Sequence, residues 1–152
     1  MDGCRPGLLD RLLGIHPGGC RLSQEQLKES VARDLEVLLN TRSALPPGVL
    51  QCYPECARSI LNFGLADFAG LSQSSRDDRL RICASIRLAV ERHEPRLSNV
   101  QVSLAERCGA VNRIEIVIVG VLRGYGANEA VSFNAALQPS SLHYSIKRGA
   151  IA

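Results

Sequence analysis

The sequence predicts an α+β fold: a small antiparallel β-sheet with two main helices packed on one face, preceded by a flexible amino-terminal arm. Three observations predict it. Apolar residues recur at helical spacing in two stretches, after Ser23 and after Ser75; from Val100 onward they alternate with a period of two; and Gly and Pro crowd the first 22 positions. Helices followed by a run of adjacent strands give a sheet covered on one side.

Taken in order, residues 1–22 carry Pro6, Gly7, Gly14, Pro17, Gly18 and Gly19, so they read as an arm with one short turn at Leu8 to Leu13. A single domain is placed at 23–148. Ser23-Gln24-Glu25-Gln26 has the form of a capping box, in which the Ser23 hydroxyl accepts a backbone N–H and Gln26 reaches back. Leu27, Val31, Leu35, Leu38 and Leu39 then share one face of a helix from about Gln24 to Thr41. Leu45-Pro46-Pro47-Gly48 stops regular structure, and Pro54 opens a helix of one or two turns ending near Gly64.

A second helix starts at Ser74 or Ser75, with Asp77 and Asp78 at the positive end of its dipole. Leu80, Cys83, Ile86 and Val90, flanked by Ile82 and Ala89, form its apolar stripe; Arg79, Arg87 and Glu91 are expected outside. Pro95 ends it, because the residue before a proline is pushed out of the helical region.

Val100, Val102 and Leu104 alternate with Gln101 and Ser103, the pattern of a strand with one wet face. Ile114 to Val119 is β-branched and apolar on both sides, which predicts a central strand. Val131, Phe133, Ala135 and Leu137 mark a third strand, and Leu142, Tyr144 and Ile146 a short last one. Cys108-Gly109 and Gly124 to Asn128 are the expected connections. Such a sheet leaves one face and at least one edge open, and an open edge accepts a strand from another chain.

Composition narrows the function classes. At 152 residues and 45% hydrophobic, the chain suits one domain, and a net charge of +3 is too small for a histone-like nucleic-acid coat. The longest apolar run, Ile116 to Leu122, falls far short of the roughly 20 residues that span a bilayer. Asp10, Arg11 and Gly14 interrupt the amino-terminal leucines, so no signal-peptide core forms. A soluble protein of the cytoplasm is expected, with neither nucleic acid nor membrane insertion. Its six cysteines are then expected to stay as thiols. Cys52 and Cys56 are the only close pair, while His16, His93 and His143 are scattered; no metal and no cofactor is expected.

Of the eighteen positive residues, only Lys28 and Lys147 are lysine. Arginine suits forked contacts to carboxylates, although a biased genome gives the same excess.

No nucleophile elbow, phosphate-binding loop or zinc-helix signature is present, so no catalytic residue is assigned. Glu91 and Glu94, three apart, are the one carboxylate pair worth weighing for sugar hydrolysis. An aromatic content of 4% offers few platforms for a saccharide, and solvated charges at a helix end are the plainer reading. A sharper feature is Glu94-Pro95-Arg96. If extended, it presents an acid and a guanidinium on one side with Pro95 on the other, either as a recognition device for a charged protein surface or as an internal brace.

Three blocks extend this feature: Arg33-Asp34-Leu35-Glu36 with Leu38-Leu39-Asn40-Thr41-Arg42; Ser59 to Asp67; and Glu94-Pro95-Arg96-Leu97 with Val100 and Val102. Their order, together with Leu8-Leu9-Asp10-Arg11-Leu12, resembles the TssE family of type VI secretion baseplate wedge subunits. That family is similar to a contractile phage tail wedge protein once labelled a lysozyme. Where the family usually shows Tyr-Gly-Leu-Pro-Asp, this chain has Phe63-Gly64-Leu65-Ala66-Asp67, losing a hydroxyl and a turn-fixing proline.

The resemblance implies a non-enzymatic sheath initiator whose sheet receives strands from the first sheath ring. It implies that Glu94, Pro95 and Arg96 bind the core bundle of the wedge. The implied partners are the wedge subunits TssF, TssG and TssK, the spike protein VgrG and the sheath subunits TssB and TssC, assembled at the cytoplasmic face of the inner membrane. A stand-alone regulator of the same fold, blocking a proteolysis adaptor, and a peptidoglycan hydrolase are the alternatives.

Overall fold

In the computed structural model of the chain, residues 6–15, 22–45, 48–68, 71, 75–106, 114–123, 128–138 and 143–149 are described. Local signals set the helices. Ser23 caps α2 (Gln24–Asn40): its Oγ accepts the Gln26 N–H at 3.3 Å while its own N–H donates to Gln26 Oε1 at 2.9 Å. Ser75 caps α4 (Arg76–His93) by accepting the Asp78 N–H. The turn expected in the arm is α1 (Leu8–Leu12), and the segment after Pro54 holds α3 (Pro54–Ala57) between 3₁₀ turns at Val49–Cys52 and Ile60–Asn62.

Four strands follow, β1 (Leu97–Glu106), β2 (Ile114–Arg123), β3 (Asn128–Gln138) and β4 (His143–Arg148), paired antiparallel in chain order. The strand at Ile114 to Val119 lies between two neighbours, as its apolar content predicts. Leu27, Val31, Leu35 and Leu38 of α2 and Ile82, Ile86, Ala89 and Val90 of α4 are buried in one core with Val100, Ile116, Ile118 and Phe133 of the sheet. Val119, on the other side of β2, is 37% exposed, which marks the uncovered face. The expected connections at Cys108-Gly109 and Gly124 to Ala127, and Leu142, lie outside the described residues.

Two expectations for α4 need correction. Leu80 is 61% exposed, and Arg79 turns inward, its guanidinium donating to the Leu104 carbonyl at 3.2 Å. Each helical residue advances about 100°, so a helix that buries Ile82, Ile86 and Ala89 points Leu80 away from the sheet.

Gly64 joins the loop to α2. Leu65 N–H donates to the Thr41 carbonyl at 2.8 Å and Ser43 N–H to the Leu65 carbonyl at 2.9 Å, a bridge that pulls the backbones together. Gly64 has φ +116°, and a Cβ there would lie 2.6 Å from the Thr41 oxygen, so only glycine fits.

The two sheet edges differ. On β4, Tyr144 N–H donates to Asn40 Oδ1 at 2.7 Å, Asn40 Nδ2 donates to the Tyr144 carbonyl at 2.8 Å, and Ile146 N–H donates to Glu36 Oε2 at 2.9 Å. Side chains of α2 thus occupy main-chain groups that a further strand would need. On β1, Asn99 has φ 51° and the register shifts between Ser98 and Gln101, while pairing with β2 continues regularly from Gln101 to Glu106. Among the described residues no helix is long and apolar enough to cross a membrane.

Candidate functional site

The α4-to-β1 junction gathers the residues singled out by the sequence. Leu97 N–H donates to the Glu94 carbonyl at 3.2 Å, so Pro95 and Arg96 form a turn rather than an extended segment. Pro95 nevertheless points outward and is exposed, while the Glu94 and Arg96 side chains meet on the inner side. Arg96 Nε donates to Glu94 Oε1 at 2.7 Å, and the Arg96 backbone N–H donates to the same oxygen at 3.2 Å. Its Nη1 donates to Ser30 Oγ at 3.0 Å, and its Nη2 is shared between Asp34 Oδ2 and Glu94 Oε2.

The network continues into α1. Ser30 Oγ donates to Asp10 Oδ2, and Arg33 Nη2 donates to Asp10 Oδ1 at 2.9 Å. Asp10 and Glu94 are each only 3% exposed. Gly7 passes close by, its missing Cβ position 3.7 Å from Arg96 Nη1. One guanidinium therefore ties α2 to the α4–β1 junction, with each of its three nitrogens engaged internally, and α1 joins the network through Asp10 on Ser30 and Arg33.

Three carboxylates crowd two guanidiniums here, and the charge states follow. Burial opposes the charged form of Arg96, but hydrogen bonds and charge from Glu94 and then Asp34 outweigh it and hold the guanidinium protonated well above its ordinary range. Burial pushes the Asp34 carboxyl up; Arg96 pulls it down, and Glu94 and Asp10 add to the rise. The pair shares one attraction, but burial and the neighbouring Glu94 and Asp10 work against the charged form of Asp34, so the acid is the weaker-held partner.

Glu91 and Glu94 lie in different surroundings. Glu94 is turned inside onto Arg96, and Glu91 stands exposed on α4. Sequence reasoning missed Asp10 and Ser30 as members of the cluster. Ser30 carried a signal: it is a polar residue adjoining the Leu27, Val31 stripe, and it is fully buried. Asp10 stood in the Leu8-Leu9-Asp10-Arg11-Leu12 motif, but nothing there pointed to its partner, which lies 20 residues away.

The family model for baseplate wedge protein gp25 matches residues 25–126. This chain belongs to that family. The matched span takes in α2, α4, β1, β2 and the Glu94-Pro95-Arg96 junction of this wedge-family chain. The chain is also similar to one in a solved structure described as the baseplate complex from the type VI secretion system, at 20% identity, with a TM-score of 0.49, over 75% of this chain and 96% of that one. No curated protein sequence matches it.

Proposed function

We propose that this wedge-family chain is a non-enzymatic subunit of a type VI secretion baseplate that docks to the wedge and templates the contractile sheath. The observation that carries the templating half is the asymmetry of the sheet. On β4, Asn40 and Glu36 engage Tyr144 and Ile146, whereas on β1 the side chains of α4, Arg79 and Cys83, reach only Leu104 among the described residues; the incoming strand is therefore assigned to β1, where it would displace those two contacts. Strand addition draws affinity from main-chain hydrogen bonds and specificity from alternate side chains. The donor strand would come from the sheath subunits, TssB and TssC.

Docking is assigned to the Glu94-Pro95-Arg96 corner, offered to TssF, TssG and TssK near the VgrG spike, at the cytoplasmic face of the inner membrane. Pro95 is the exposed contact, and Glu94 and Arg96 hold it in place from within. A corner whose shape is fixed before binding loses little entropy on docking.

Separate variants test the two halves. The Leu104 carbonyl accepts from Arg79 of α4, and Val102, two residues before it, shares that side of the backbone. Val102→Pro is expected to abolish sheath assembly while wedge subunits still co-purify, because a proline is tolerated on an edge but blocks pairing. Sheaths of normal length in cells carrying it would end the templating reading. Proline at Asn134 is unsuitable for this purpose: β3 is an interior strand, with Asn134 paired to both Val117 and Lys147. Pro95→Glu is expected to leave the thermal melt unchanged and to cut wedge co-purification; undiminished co-purification would remove the corner from the interface.

A further inference from the structure

A second surface shares no residue with the Arg96 cluster or with β1. The outer side of α4 and the 43–66 loop enclose a groove of about 500 Å³. Its apolar lining comes from Leu45, Leu50, Ala57, Ala84 and Leu88, and Leu88 is 43% exposed. The same loop carries Val49, Tyr53, Ile60 and Leu61, exposed at 52%, 62%, 84% and 61%. Large apolar side chains gathered on one segment mark a contact surface more than scattered single ones do.

The charge on the lining has one sign. Arg81 and Arg92 line the groove, no carboxylate does, and among the described residues neither arginine makes an ion pair or hydrogen bond. His93, also on the wall, donates from Nε2 to the Asn62 carbonyl at 3.1 Å and packs edge-on against Phe63, so that side is already fixed. Two unpartnered guanidiniums beside an apolar trough complement a segment with an apolar face and carboxylates beside it.

We infer that the groove between α4 and the 43–66 loop docks an acidic amphipathic segment of another protein, its apolar face on Leu50, Ala84 and Leu88 and its carboxylates on Arg81 and Arg92. The groove shares no residue with β1 or with the Glu94-Pro95-Arg96 corner, so its variants test it separately from them. Arg81 and Arg92 sit eleven residues apart on α4, about 16 Å along a helix at 1.5 Å per residue, which asks for a segment of roughly three helical turns.

The test is site-specific photocrosslinking in the native cell. A photoreactive residue is placed at Leu88 of the full-length protein and, in a separate variant, at Val119 on the uncovered sheet face, and the crosslinked peptides are sequenced. A crosslink from Leu88, and not from Val119, to an apolar peptide of another chain with an excess of Asp and Glu is the expected result. Adding Arg81→Glu and Arg92→Glu should cut that product roughly tenfold, since like charges then face each other. Arg87→Glu, outside the groove, should leave it unchanged, and thermal melts confirm that all variants fold. No crosslink from Leu88, the same product from Val119, a crosslink to a second copy of this chain or to a basic peptide, or a product indifferent to the Arg81 and Arg92 reversals would each overturn the inference.

Discussion

Arg96 and the pair Arg81 and Arg92 are the same residue type in opposite circumstances. Arg96 is enclosed: its three nitrogens donate to Glu94, Asp34 and Ser30, and it joins α2 to the α4–β1 junction. Arg81 and Arg92 line an open groove with no described partner. An enclosed arginine holds the molecule's own shape, whereas an open one is available to something else. The surplus of arginine in the composition therefore has no single meaning; each guanidinium takes its role from the carboxylates that reach it.

The largest effect expected from this contrast is at Arg96. Arg96→Ala leaves the buried Glu94 carboxylate unpaired and should cost about 3–5 kcal/mol, lowering the melting temperature by roughly 6–20 °C. A melt within a degree or two of the wild type would show that the cluster is not a brace and that Arg96 is free for a partner.

An intermediate effect belongs to Asp34. Its folded pKa is raised above the ordinary 3.8 by burial, so in the window above 3.8 the folded state binds more protons than the unfolded one. Stability then falls as pH rises through that window, and the charged carboxylate is a liability at neutral pH. Asp34→Asn is expected to remove this slope in denaturation measured across the acidic range, while keeping an acceptor for Arg96. A slope that survives the substitution would assign it to another acid.

The smallest effect sharpens the contrast from the other side. Arg81→Ala and Arg92→Ala should change stability by less than about 0.5 kcal/mol, as surface substitutions without partners do. A loss comparable to that of Arg96→Ala would mean that the groove is built around its arginines.

Much of the fold was legible because its signals are local. The capping box at Ser23, the Leu27 to Leu39 stripe and the Pro95 stop each act within a turn or two of chain, and each stands where the sequence put it. The Leu80 error has the same origin in reverse. Periodicity proposes a stripe, but the rotation of α4 about its axis is chosen by what the sheet buries, and there Ile82 prevails over Leu80. The candidate corner was legible as a motif, with its two possible uses. Whether Glu94 and Arg96 faced outward or inward was not, since the acceptors Asp34 and Ser30 lie 62 and 66 positions before Arg96.

The sequence by itself determined the order of helices and strands, their caps and stops, and the resemblance carried by short ordered motifs. Tertiary structure decided the rest: that Asp10 closes onto Ser30 and Arg33, that Asn40 and Glu36 of α2 bond the outer edge of β4 while Arg79 of α4 reaches Leu104 on β1, and that Arg96 is spent internally while Arg81 and Arg92 are not. The physical reason is range. Hydrogen bonds within a turn follow from neighbouring residues, but a charge or a sheet edge is satisfied only by groups that folding brings from dozens of residues away.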